Sequence, residues 1–290
     1  MRFAFCVCVA SALFTSSLAP AREPAGEIRL LVRADDMGAA QSINEACVLT
    51  AREGIVRSVE VIVPGPWFLD AVRLLKEHPD IDAGVHLALT SEWERVKWRP
   101  LTHAPSLVDE NGYFFPTTNR RPDFPPGTAF LQARYKLDEV EKELRAQVEL
   151  AKKHLPRVSH VSFHMGAAVA TPELRAVAMK VAREHGLRTE QPRPAGRWSG
   201  ANLSAAQKEQ NLVALLERLD PGDWFIIEHP AFDTPEMRSV GHRGYENVAA
   251  DRDGVTQAFI SPKVKEVVAR RKIRLIGYAD LGANEAPPAK

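Results

Sequence analysis

The stretch Ile28-Arg-Leu-Leu-Val-Arg-Ala-Asp35-Asp36-Met-Gly38 carries an apolar run straight into two adjacent carboxylates and a glycine. The run reads as a buried strand and the glycine as part of the turn that follows it. Side chains alternate across a strand, so Asp35 and Asp36 face the same way only where the strand has ended. Neighbouring carboxylates also raise each other's pKa unless something cationic lies between them. A metal ion beside a proton-transfer group would account for both. A solvated Asp35 next to a helix-capping Asp36 is the plainer alternative.

Three histidines occupy the same kind of position. His86 lies in Ala83-Gly-Val-His-Leu-Ala-Leu-Thr90, His164 ends His160-Val-Ser-Phe-His164, and His229 follows Trp224-Phe-Ile-Ile-Glu228. Each segment is a short β-branched or aromatic run bounded by glycine or proline, which is the pattern of a buried strand. Further strands are expected at Ser58 to Pro64, weakly at Leu187 to Glu190, and at Ile273 to Tyr278. Helices separate them. Thr171-Pro172-Glu173 gives one an N-cap, a first-turn proline and an acidic residue, and Gly186 stops it; Ser261-Pro262 opens the last. The longest runs from Leu137 to Leu155, with a stripe of Leu137, Val140, Leu144, Val148, Ala151 and Leu155.

Strands alternating with helices mean a parallel sheet. Seven or so such units in roughly 265 residues fit an α/β fold of the TIM-like (β/α) type, a closed or nearly closed barrel, with an open doubly wound sheet as the alternative. In either architecture the C-terminal strand ends form the functional face, so Asp35, Asp36, His86, His164 and His229 converge on one rim. Two long insertions would overhang it. Ser91 to Lys136 carries Trp93 and Trp98, which either stack on a sugar or pin the loop. Ala231 to Phe259 carries Arg243 and Glu246, which either contact substrate or form a loop ion pair.

The chain has 290 residues, 45% hydrophobic and 26% charged, with a net charge of +1. That balance gives no electrostatic footprint for nucleic acid. Met1-Arg2, the apolar stretch Phe3 to Phe14 and Ala19-Pro20-Ala21 read as a signal peptide cleaved near Ala21, hence an exported, periplasmic or extracellular protein with no membrane span afterwards. A single domain would then cover 22–285, with a Pro/Ala tail at 286–290. Cys6 and Cys8 fall in the leader. Cys47 is left as one buried thiol with no assigned role. Homo-oligomerisation stays open.

One aspartate and two histidines make a three-ligand set for a divalent metal with positions left for water and substrate. Asp36, His86 and His164 are the expected ligands, Asp35 the base and His229 the acid. Zinc and magnesium lead the candidate ions, with manganese, iron and cobalt also compatible.

The segments Ala34-Asp-Asp-Met-Gly38, Gly54-Ile-Val-Arg-Ser58, Gly84-Val-His-Leu-Ala-Leu-Thr90, His160-Val-Ser-Phe-His164 and Glu228-His-Pro230 resemble the successive motifs of the YdjC-like carbohydrate deacetylases, which include chitooligosaccharide and hopanoid-sugar deacetylases. The resemblance implies a distorted β/α barrel, a divalent metal on Asp36, His86 and His164, Asp35 as base, and an acetylated amino sugar or oligosaccharide as substrate. Two positions depart from the family pattern. Ser162 stands where an aspartate is usual, and Gly166 where a further histidine is. Glu60 adds a carboxylate inside the second strand, expected as a barrel-interior group facing the site, as an added ligand, or as an outward residue. The alternatives are an amidase or esterase acting on another cell-envelope substrate, and a carbohydrate-binding barrel without turnover. A two-carboxylate glycoside hydrolase would need no histidine set.

Overall fold

The computed structural model describes residues 26–281. The expected leader with Cys6 and Cys8, and the expected tail, lie outside them. Strand β1 (Ile28–Met37) is buried along its whole length and runs through the middle of a parallel sheet. That burial explains why its sequence is a continuous apolar run. Around it lie α1 (Gln41–Glu53), β2 (Ser58–Val61), α2 (Phe68–Glu77), β3 (Asp82–Leu87), α3 (Leu137–His154), β4 (His160–Phe163) and α4 (Pro172–Glu184). The chain continues through β5 (Arg193–Pro194), α5 (Ala205–Glu217), β6 (Gly222–Glu228), α6 (Val248–Ile260), α7 (Pro262–Arg270) and β7 (Arg274–Ile276).

The strand order is β4-β3-β2-β1-β6-β5, with β7 also paired to the lower half of β1. The sheet curls into an incomplete barrel whose edges, β4 and β5, do not meet, rather than a flat doubly wound sheet. Alternate residues of β1 show the two faces. Leu30, Val32 and Ala34 join the large core beneath the helices, whereas Leu31 joins Phe225, Ile276, Tyr278 and Leu281 in an apolar plug inside the barrel. Arg33 and Asp35 continue the inward row above that plug, with the Arg33 guanidinium 5.0 Å from the centre of the Phe225 ring.

Helix punctuation follows the sequence. The Thr171 side chain accepts from Leu174 N, Pro172 opens α4, and Gly186 follows its end at φ 68°. Ser261 caps α7. Cys47 is buried. Several expectations need correction. The weak strand at Leu187 to Glu190 reduces to one bridge, Arg188 to His160, and β5 forms further on, at Arg193. Pro194 cannot donate to a ladder, which confines that short strand to an edge. Leu137 is 39% exposed and stands outside the α3 stripe, because the first helical residue lies over solvent; Val140, Leu144, Val148, Ala151 and Leu155 are buried as expected. The segment from Ala231 to Phe259 is not all loop, since α6 occupies Val248–Ile260. No helix among the described residues is long and apolar enough to cross a membrane.

Candidate metal centre

The end of β1 resolves the problem of its paired aspartates. In the β1–β2 register Ala34 faces Val59 and Met37 faces Val61, so Asp35 and Asp36 together oppose the single residue Glu60. This is a β-bulge, with the left-handed backbone at Asp36 (φ 72°) that such an irregularity uses. Aspartate tolerates that region better than most residues, at a cost of about 1–2 kcal/mol. The bulge breaks the alternation and lets both carboxylates approach His86. Asp36 is not the helix cap: Ala40 holds that position, with no side-chain hydrogen bond.

The neighbouring strands bring in the histidines. His86 precedes the last residue of β3, and its end of the strand is held by Gln147 of α3, which bonds both Ala88 N (3.0 Å) and Ala88 O (2.9 Å). His164 follows β4, where left-handed Met165 and Gly166 (φ 50° and 66°) turn the chain away and end the strand earlier than expected. A Cβ at Gly166 would meet nothing within 4 Å. His164 Nδ1 lies 3.2 Å and His86 Nε2 lies 3.6 Å from Asp36 Oδ1. The two imidazoles are nearly perpendicular, at 77°, with centroids 5.3 Å apart.

These three side chains are the group among the described residues able to hold a metal ion, and all are buried. Donors each about 2 Å from one tetrahedral ion stand about 3.3 Å from one another, which the observed separations approximate. Asp36 Oδ1 is buried and accepts no hydrogen bond among the described residues. An orphaned buried carboxylate oxygen at the focus of two imidazole nitrogens is what an Asp–His–His cation site would present.

The surroundings set the charge states. Burial disfavours the Asp36 anion, but the Arg252 guanidinium, donating to Oδ2 at 2.8 Å, and then His229 and His164 hold its carboxyl well below the usual range. Burial and then His164 keep His86 well below the ordinary imidazole value, so its ring is neutral, as a ligand must be. Burial would lower His164 too, yet Glu92 and Asp36 outweigh it and raise it to about 10. Glu92 Oε2 lies 2.9 Å from His164 Nε2 and orients the ring. Asp35 is clamped by Arg33 and lies 3.6 Å from His86 Nε2. His229 stands half-buried after β6, 3.7 Å from Glu228; burial lowers its pKa, but Asp36 and Glu228 more than reverse this and raise it.

The remaining candidates fall in different places. Glu60 is fully buried in the barrel interior, accepting from Ser162 and bonded to His160, so it does not reach the substrate face. Trp98 is buried, donates to Thr90 O at 2.8 Å and packs its edge on His164 at 5.5 Å. Trp93 is buried against Arg252 and His242. Trp98 pins the insertion, whereas Trp93, although buried, also contributes to the lining of the cleft that begins at Glu92. Arg243 lines a cleft of about 760 Å³ that begins at Glu92 and includes Tyr113, Asp123 and Phe124. Glu246 accepts from Gly244 N at 2.8 Å, and no ion pair joins it to Arg243 among the described residues. Sequence reading missed Glu92 and Arg252. The first is the earliest carboxylate after the His86 strand, which is a usable signal. Arg252 was hidden in a helix read as loop.

The chain matches the family model described as YdjC-like protein over residues 29–270. It is 30% identical to a carbohydrate deacetylase of Thermus thermophilus over 235 residues, covering 73% of this chain and 80% of that protein. It is 25% identical to carbohydrate deacetylase 2 of Listeria innocua, covering 88% and 99%. The crystal structure of an Enterococcus faecalis protein named for cellobiose-phosphate cleavage superposes with a TM-score of 0.71 at 24% identity, covering 88% of this chain and 99% of that one. With that match spanning every strand end that carries the buried aspartate and histidines, the chain belongs to the YdjC-like family.

Proposed function

We propose that this protein is a metal-dependent hydrolase that removes the acetyl group from an amino sugar or short oligosaccharide. The observation that carries the reading is the buried Asp36–His86–His164 group with Asp35 held beside it. The names of the relatives support a carbohydrate substrate. The leader-like segment ending near Ala21 supports action outside the cytoplasm.

Asp36 Oδ1, His86 Nε2 and His164 Nδ1 would hold the cation, a donor set that suits zinc or another first-row ion better than magnesium. A divalent ion there supplies Lewis acidity, making water nucleophilic near neutral pH and polarising the acyl oxygen. Asp35 takes the proton of the attacking water, its carboxylate held in one orientation by Arg33. His229, kept protonated toward higher pH by Asp36 and Glu228, delivers a proton to the departing amine. The sugar lies in the cleft that starts at Glu92, whose lining includes the aromatic residues Trp93, Tyr113 and Phe124.

Acetate release from N-acetylglucosamine oligomers tests this, using protein purified without chelator, with EDTA and with metal restored. Release that EDTA abolishes and metal restores is the expected result. A protein that binds stoichiometric metal yet releases no acetate from any acetylated sugar in a panel would overturn the substrate reading.

A further inference from the structure

Resting on the metal-centre reading, we infer that Glu60 is the carboxylate that orients the ligand His86, acting at one remove through the Ser162 hydroxyl. The two histidine ligands are supported differently. His164 meets Glu92 directly. His86 instead places Nδ1 2.7 Å from Ser162 Oγ, and Ser162 Oγ in turn donates to Glu60 Oε2.

Proton bookkeeping gives this chain a direction. Glu60, when ionised, only accepts, and Ser162 has a single hydroxyl proton. That proton goes to Glu60, so the Ser162 oxygen is left to accept, and the proton on the neutral His86 ring must sit on Nδ1. His86 Nε2 then turns its lone pair toward Asp36 Oδ1, where a cation would be bound. Without Glu60, the serine proton can turn toward His86 Nδ1 and favour the opposite tautomer, in which Nε2 carries hydrogen and cannot ligate.

The strand register makes the reach possible. Glu60 of β2, Gly84 of β3 and His160 of β4 form one row, and His86 with Ser162 forms the row above. Gly84 has no side chain, so Glu60 and His160 meet across it; an added Cβ would stand 2.6 Å from Glu60 Oε2. His160 bonds Glu60 through Nε2, stacks on Tyr278 with centroids 3.5 Å apart, and places Nδ1 2.7 Å from Ser159 Oγ. Ser159 is fixed by Asp82 at 2.6 Å. Arg33 Nε approaches Glu60 Oε1 at 3.8 Å while bonding Asp35. Glu60 is thus braced from below and committed to one acceptor geometry. A carboxyl group buried this completely is an expensive way to fill a barrel, and its second oxygen is spent on the hydroxyl that touches His86.

The test is metal affinity, measured on chelator-stripped full-length protein by competition with a chromophoric chelator, using zinc and cobalt(II). Ser162→Ala and Glu60→Gln are each expected to weaken binding about 10–100-fold while thermal unfolding stays cooperative. Adding Ser162→Asp to Glu60→Gln places a carboxylate at His86 Nδ1 and is expected to restore most of the affinity, which a general packing role for Glu60 would not permit. Should Glu60→Gln fail to fold, Ser162→Ala decides alone. Folded variants that bind metal as the unsubstituted protein does would overturn the inference and leave the metal centre standing. An unsubstituted protein that binds no metal would overturn both, whereas absent acetate release with metal bound bears only on the substrate.

Discussion

Arg33 holds both oxygens of Asp35, donating from Nε at 2.7 Å and from Nη2 at 3.0 Å. The pair sits two residues apart on the inward row of β1, so one strand supplies a carboxylate and the cation that fixes its plane. The same guanidinium donates to the Tyr278 hydroxyl at 2.9 Å, which ties it to the top of the apolar plug. Asp36, one residue further on, has a different counterion, Arg252 of α6. Two adjacent carboxylates can therefore be given separate tasks, because the bulge directs them to separate cations.

That division predicts the behaviour of Asp35→Asn. The substitution is nearly isosteric and leaves Asp36, His86 and His164 in place, so metal content is expected to stay stoichiometric. Turnover is expected to fall by roughly 10²–10⁴-fold, the usual worth of a positioned general base. Paired metal analysis and single-turnover acetate release check this; a fully active Asp35→Asn protein would remove the residue from the reaction.

His164 gives the pH dependence. Its pKa in the metal-free protein is raised from 6.5 to about 10, with burial opposing and Glu92 and Asp36 prevailing. A raised histidine stabilises the folded state fully below its unfolded value and loses that contribution as pH rises from about 6.5 through about 10. Metal must displace the same proton, so affinity is expected to rise with pH across that window, and binding at pH 8 should release about one proton. Calorimetry in buffers of different ionisation enthalpy reads the number directly. Release of no proton would show that His164 is already neutral.

The site was legible in the sequence to the extent that it lies on strand ends. Asp36, His86 and His164 could be paired because short apolar runs bounded by glycine and proline locate a parallel strand's C-terminus with little ambiguity. What fixes their orientation was not legible. Asp35 and Asp36 face one side only because of a two-against-one register with Glu60, and register is a property of two strands at once. Glu60 itself read only slightly better as a site-facing residue than as an outward one, since its inward direction depends on Gly84 leaving room for His160. Trp93 and Trp98 read equally as sugar platforms or loop anchors; burial makes Trp98 an anchor, while Trp93 also borders the cleft that begins at Glu92. Arg252 came from a segment whose glycines and polar residues masked helix α6.

The corrected α3 stripe makes a stability prediction. Leu144 is completely buried between α3 and the sheet, whereas Leu137 is 39% exposed at the first turn. Leu144→Ala is expected to cost about 2–5 kcal/mol, through lost burial and an unfilled cavity. Leu137→Ala should change stability by no more than about 0.5 kcal/mol. Denaturant midpoints for the two variants separate them, and equal losses would mean that α3 begins differently.

Gly84→Ala probes the interior row without replacing a ligand or a polar side chain. Its new Cβ would lie 2.6 Å from Glu60 Oε2 and also against His160 Nε2, and neither side chain has free space to retreat into, since both are fully buried. Overpacking of this kind costs about 1–3 kcal/mol. The stability loss should be accompanied by weaker metal binding, because Glu60 cannot shift without disturbing its bond to Ser162. Gly200→Ala is the control: nothing lies within 4 Å of its Cβ position and its backbone is not left-handed, so melting and metal affinity should both stay at the level of the unsubstituted protein. If Gly84→Ala lowered the melting temperature alone, with metal affinity intact, the barrel interior would be tolerant of Glu60 movement and His86 would be held by Ser162 without it.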